Sequence, residues 1–308
     1  MSPRLSIVVP TMRVGGLDVL WAGLMQQTCR DFELVLVDDL WKYRLGVGPY
    51  FSNNGGPPIL HREPVGGGFP NSHYCRSVNT GIAAARGDVV AILSDYTLLP
   101  PNYVETHLRL HDERRDRVVL SPHVSWCCPP VKAKINYRPN LDHYTSEGLD
   151  RYCTDLEYRA LDDCMWSIFE QPFSADWLDL LQTGQLETRF GSDPKENLPP
   201  GPLSNVQLFF CRGESVKREH LLAINGFDEA LDGSHGYQDS DLVERLRAAI
   251  PGLEFWNAPE ATCTIINPRP YFPHARRERP IESNGAYFNT RLAAGFPGTV
   301  RCVSDLQT

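Results

Sequence analysis

Short apolar runs alternate with segments of helical periodicity through the first 122 residues. Residues 5–9 are apolar at four of five positions and are closed by Pro10, which predicts a buried strand. Residues 19–25 carry helical spacing, and residues 32–37 make a second strand that ends in Asp38 and Asp39. Ile59 and Leu60 mark a short third strand. Residues 72–86 predict a helix, with Gly87 just past its end in the place of a left-handed closing residue. Residues 89–93 form a fourth strand ended by Ser94, Asp95 and Tyr96. Residues 101–115 predict a helix with Pro101 at or near its first position, and residues 118–120 a fifth strand. Repeated strand–helix units imply an α/β, Rossmann-like, mostly parallel sheet with helices on both faces and right-handed crossovers. Ligands of such sheets gather beyond the carboxyl ends of the strands. Thr11, Asp38, Asp39, Ser94 and Asp95 are the polar residues at those ends, and their clustering predicts a nucleotide-type site there.

The rhythm stops at residue 123. Residues 123–203 are rich in aromatic, acidic and proline residues, with helical spacing only around 152–169 and 177–181. A structureless loop of that length does not suit a compact domain. The stretch is read as a helical and loop-rich insert that shapes a second substrate pocket, or as a surface elaboration or oligomer contact. Residues 204–308 return to the sheet with a strand around 206–211, a helix over 217–224 and a turn at Asn225-Gly226-Phe227-Asp228. Next comes Gly236-Tyr237-Gln238-Asp239-Ser240-Asp241, followed by Leu242, Val243, Leu246 and Ile250 at helical spacing. Asp239 and Asp241 therefore fall at or just before a helix start, where backbone N–H groups favour carboxylates. Local spacing alone fits an acidic cap as well as a reactive pair. The expected division is 1–122, 123–203 and 204–308 within a single domain.

Composition narrows the classes. The net charge of −8 argues against a nucleic-acid-binding surface. No run of about 18 apolar residues exists, so no membrane span is expected. Met1-Ser2-Pro3-Arg4 leads directly into the first strand without a signal-peptide pattern, so the expected location is cytoplasmic, with peripheral membrane association left open. The nine cysteines contain no C-x-x-C pair and no zinc-finger spacing. Adjacent Cys127 and Cys128 read as small buried thiols in a reducing compartment, or as a redox pair. Gly66-Gly67-Gly68 lacks the spacing of a P-loop or of a dinucleotide fingerprint and reads as a flexible loop or a phosphate cradle. No internal repeat is visible.

Four segments in order carry a resemblance. Ser6-Ile7-Val8-Val9-Pro10-Thr11 and residues 27–39, ending in Val37-Asp38-Asp39, resemble the opening of family 2 glycosyltransferases of the GT-A fold. Asn79-Thr80-Gly81-Ile82-Ala83-Ala84-Ala85-Arg86-Gly87-Asp88 resembles that family's helix before the metal-binding strand. Asn225-Gly226-Phe227-Asp228-Glu229 with Gly236-Tyr237-Gln238-Asp239-Ser240-Asp241-Leu242 resembles its acidic acceptor-side motif. The likeness spans roughly residues 4–122 and 204–250.

This resemblance implies an inverting hexosyl- or deoxyhexosyltransferase that moves a sugar from a nucleotide-diphosphate sugar, UDP- or GDP-type with UDP favoured, to an acceptor hydroxyl. Asp239 matches the general base, because an alcohol must lose its proton as it attacks. Gln238 stands where the family carries Glu, and Asp241 could hold the acceptor or cap the helix. Pro10, Thr11, Asp38, Asp39, Ser94 and Asp95 match donor-side positions, with Arg76 or His73 reaching toward base or phosphate. A divalent cation, Mn2+ or Mg2+, offsets charge on the leaving diphosphate in the family. Here the Asp-x-Asp triplet is Ser94-Asp95-Tyr96, leaving Asp95 as ligand with His274 or His235 as helper. The basic stretch from His274 to Arg279 could instead meet the diphosphate directly. The altered triplet keeps a second class open: a catalytically silent nucleotide-sugar-binding or scaffold protein. A sugar nucleotidyltransferase ranks last, since no Gly-rich N-terminal loop with Arg and Lys suits a triphosphate.

Overall fold

The computed structural model describes residues 2–11, 16–67, 73–114, 118–127, 198–204, 212–233, 236–266, 281–296 and 300. In chain order these form β1 (Leu5–Thr11), α1 (Leu17–Met25), β2 (Phe32–Asp38), α2 (Val47–Asn53), β3 (Ile59–Arg62), α3 (Tyr74–Ala84), β4 (Val89–Ile92) and β5 (Thr97–Leu98). They continue with α4 (Tyr103–Glu113), β6 (Val118–Cys127), β7 (Gly201–Pro202), β8 (Glu214–Lys217), α5 (Arg218–Ala223), α6 (Gln238–Ala249), β9 (Glu254–Ile266) and α7 (Ile281–Ala293). Among the described residues the strands make one sheet in the order β3-β2-β1-β4-β8-β6-β9-β5, with β7 paired to β9. The pairings set β3, β2, β1, β4, β6 and β9 pointing one way, and β8, β5 and β7 the other.

Burial on both faces explains why the central strands read as continuous apolar runs rather than alternating ones. Val8, Val35, Val37, Val90 and Ile92 pack with α3, α5 and α6 on one face. Ile7, Val9, Leu34, Leu36 and Ala91 pack with α1, α2 and α4 on the other. The parity of each strand thus sends successive side chains into two separate cores.

Several boundaries differ from expectation, each for a local reason. β1 does not stop at Pro10. It pairs with β4 only as far as Val8 opposite Ile92 and continues beside β2 alone to Thr11 opposite Asp38. A proline is tolerated where a strand has lost one neighbour. Gly87 is not a left-handed helix closer. α3 ends at Ala84 with Ala85 extended, and a Cβ on Gly87 would lie 2.6 Å from the Ser6 nitrogen. Glycine is needed there for close backbone approach, and its own N–H donates to Ser6 Oγ at 2.8 Å. Pro101 precedes the Asn102 cap of α4 rather than opening the helix. β6 runs past Pro122 to Cys127 through a register shift between Pro122 and Val124, longer than the expected strand at 118–120. The rest of the expected insert, apart from residues 198–203, and the expected strand at 206–211 lie outside the described residues.

Under β8 lies a buried polar group with a pH consequence. Ser215 Oγ sits 2.6 Å from His107 Nδ1 and 2.9 Å from His111 Nε2. One hydroxyl carries one proton, so one imidazole accepts from Ser215 and the other donates to it. Burial, reinforced by His111, lowers the His107 pKa to about 3. The folded state therefore holds His107 neutral, while the unfolded chain takes up a proton near pH 6.5. Stability from this group is present above that value and is lost as pH falls through the window toward 3, by about 1.4 kcal/mol per pH unit. Urea unfolding at pH 7.5 and pH 5 should show the loss, and His107→Gln should flatten it.

Candidate functional site at the carboxyl edge of the sheet

The parallel register brings together the polar residues at the strand ends. Thr11 closes β1 and Asp38 closes β2 directly opposite it. The Asp39 N–H donates to the Thr11 carbonyl at 2.9 Å, and Thr11 Oγ1 donates to Asp95 Oδ2 at 3.0 Å. Pro10 and Ser94 are half-buried beside them. Asp38 is fully buried and already engaged: Leu40 N–H reaches its Oδ1 at 2.9 Å, while His61 Nε2 and Arg44 Nη1 stand 3.1 and 3.6 Å from its Oδ2. Nothing in the sequence pattern pointed to His61 or Arg44.

Helix α3 links this cluster to the acidic motif. Ser77 Oγ lies 3.5 Å from Asp39 Oδ1 on one side. On the other, Asp232 accepts from the Cys75 N–H at 2.8 Å and the Arg76 N–H at 3.1 Å. These are orphan donors of a helix start, which a carboxylate satisfies. Burial raises the Asp232 pKa, although both amides oppose the shift. Burial pushes the Cys75 thiol well up, and the charges of Asp232 and Asp239 add to it. Arg76 is partly buried, with Nε 3.8 Å from Glu229 Oε2. Asn79 holds the next loop through both of its amide atoms, accepting from the Phe227 N–H at 2.8 Å and donating to the Phe227 carbonyl at 2.9 Å.

α6 begins at Gln238, so Asp239 and Asp241 both lie in its first turn. Asp239 is partly exposed and Gln238 is buried. Asp241 is fully buried: Arg245 Nε meets its Oδ2 at 2.6 Å, and Arg291 Nε stands 3.4 Å from its Oδ1. Burial raises the Asp241 pKa and outweighs the opposing pull of Arg245. Arg245 Nη1 also donates to the carbonyls of Ile224 and Gly226 at 3.0 and 2.7 Å. α7, which the sequence reading did not anticipate, completes the support. Asn284 donates to the carbonyls of Leu231 and Gly236, and Tyr287 donates to Asp228 Oδ2 at 2.7 Å.

The triplet 94–96 supplies one carboxylate. Tyr96 is fully buried in the left-handed region at φ 59°, and its ring packs on Gly16. No group of three His, Cys, Asp or Glu side chains converges among the described residues. That donor set fits only a cation bound through a single carboxylate, with phosphate oxygens and water completing its shell. His274 and His235 lie outside the described residues. No described helix is long and apolar enough to cross a membrane.

No protein-family profile matches the chain, and no curated protein matches it in sequence. Solved structures do match in shape. TarS of S. aureus, residues 1–349, superposes with TM-score 0.52 at 11% identity, covering 85% of this chain and 60% of that one. Its complex with UDP gives TM-score 0.54 at 10% identity, covering 98% and 68%. The mannosyltransferase PcManGT from Pyrobaculum calidifontis, solved with GDP-Man and Mn2+, gives 0.50 at 15% identity, covering 96% and 73%. The chain therefore spans about three fifths of the length of the first TarS structure. At these identities the likeness establishes the fold, which is the GT-A type of nucleotide-sugar glycosyltransferases.

Proposed function

We propose that the protein is an inverting glycosyltransferase that uses a nucleotide-diphosphate sugar, UDP- or GDP-type, and an acceptor hydroxyl. One observation carries the reading: the first turns of α3 join the Thr11–Asp39–Asp95 cluster to Asp232, just before the acidic start of α6, at one edge of the sheet. Asp38 or Asp39 takes the nucleoside, and Asp38 is already held by His61 and Arg44. Asp239 takes the proton of the acceptor hydroxyl as its oxygen bonds to the anomeric carbon. The bond from that carbon to the diphosphate oxygen breaks in the same displacement, and its electron pair leaves with the nucleoside diphosphate. Gln238 sits beside the base on the acceptor side. Asp241 is assigned to holding the α6 start, because its carboxylate is buried against Arg245 and Arg291.

Asp95 is the residue that would hold a divalent cation, Mn2+ or Mg2+. When bound, the cation offsets charge on the leaving diphosphate. The Thr11 hydroxyl orients Asp95, so Thr11→Val is expected to weaken Mn2+ binding in the presence of UDP by roughly 10–100-fold. Electron paramagnetic resonance of Mn2+ reads this without turnover, and unchanged binding would place the cation away from Asp95.

The burial of Tyr96 favours one competing reading, a silent nucleotide-sugar-binding protein. Titration with UDP-GlcNAc and GDP-mannose, with and without Mn2+, followed by assay of nucleoside diphosphate release, separates the two. Binding with release, to water or to acceptors, supports transfer. Binding without release across a broad acceptor panel favours the silent protein, and failure of both donors to bind contradicts both readings.

A further inference from the structure

One exposed tyrosine stands at the start of the helix that carries Asp239. Tyr237 precedes α6 with φ 71°, a left-handed conformation that side-chain-bearing residues adopt at a cost. Its side chain makes no capping hydrogen bond. Glycine or asparagine would suit that backbone better, so helix geometry does not account for a tyrosine there. The residue is 39% exposed. It is nevertheless held: Phe288 of α7 lies 5.3 Å away between ring centroids, and Gly285 of α7 comes so close that a Cβ there would meet the Tyr237 ring at 3.2 Å. A glycine inside a helix disfavours that helix, and here it makes room for the ring.

We infer that Tyr237, backed by Gly285 and Phe288, is a platform for the acceptor, and that the acceptor is a saccharide. The inference rests on the glycosyltransferase reading and specifies its second substrate. A pyranose presents a face of C–H groups that lies flat on an aromatic ring, while its hydroxyls project from the rim. Stacked on Tyr237, the ring offers a hydroxyl to Asp239, two residues along the chain. An open-chain polyol or a serine hydroxyl has no such face.

The test uses the full chain with UDP present and methyl α-D-pyranosides of glucose, galactose and mannose as probes, with glycerol as the open-chain control. Saturation-transfer NMR should show at least one pyranoside bound and glycerol not. Tyr237→Phe should keep binding within a few-fold, whereas Tyr237→Ala should weaken it roughly tenfold or more. Gly285→Ala should also weaken it by displacing the ring, while the melting temperature stays level or rises because alanine favours the helix. Calorimetric affinity for UDP should be the same in all four proteins. Pyranosides that do not bind, that bind Tyr237→Ala equally well, or that bind no better than glycerol would overturn the platform. Should UDP and GDP fail to bind while pyranosides still depend on Tyr237, the donor assignment falls and the platform stands.

Discussion

Asp239→Asn is expected to reduce acceptor-dependent release of nucleoside diphosphate by about 10²–10⁴-fold, the range that a positioned general base contributes. The amide keeps the shape of the carboxylate and cannot take a proton. Asp239 is partly exposed and the substitution keeps its size, so the fold should persist, as the melting temperature will show. Donor affinity should also hold, because Thr11, Asp39 and Asp95 lie on another part of the edge. Parallel assays of turnover, UDP binding and melting temperature make the expected pattern specific. Normal turnover in the variant would move the base elsewhere, with Asp232 as the next carboxylate on that side.

Arg245→Met should give the largest loss of stability, about 3–5 kcal/mol, because it leaves the Asp241 carboxylate buried without its main partner. It also strips a donor from the carbonyls of Ile224 and Gly226. Burial already raises the Asp241 pKa, and removing Arg245 raises it further. A carboxyl with a raised folded pKa is favoured when protonated, so the deficit should be greatest near neutral pH and shrink as the pH falls toward the acid side. Urea unfolding across that range checks the trend. The double variant Arg245→Met with Asp241→Leu should be more stable than Arg245→Met alone, since the stranded charge is gone. Equal deficits would mean that the ion pair contributes little and that the carbonyl contacts dominate.

The two-sided core was legible because β1, β2 and β4 carry apolar residues at both parities, and few structures other than a covered sheet bury such runs. The clustering of Thr11, Asp38 and Asp95 was legible for the same reason: polar residues at strand ends stand out against Val and Leu. The α6 start was marked by Leu242, Val243 and Leu246 following the acids, all three buried. Other features left no pattern. Gly87 mimics a helix closer in sequence, but its role is set by contact with β1, which sequence spacing does not reveal. The fifth strand reads as residues 118–120, and only the register with β9 shows the bulge that carries β6 past Pro122. α7 turns Asn284, Gly285 and Phe288 inward, a stripe with one apolar member in three, so no hydrophobic period announced it. Asp232 looked like any turn aspartate until the fold set it against the first turn of α3.

The most direct measurement is a crystal structure with UDP or GDP and Mn2+ bound. The account predicts the nucleoside beside Asp38 or Asp39, the diphosphate reaching toward Asp95, and the Asp239 carboxylate facing the terminal phosphate. A nucleotide bound away from the carboxyl edge, or an Asp239 side chain turned away from the diphosphate, would contradict it.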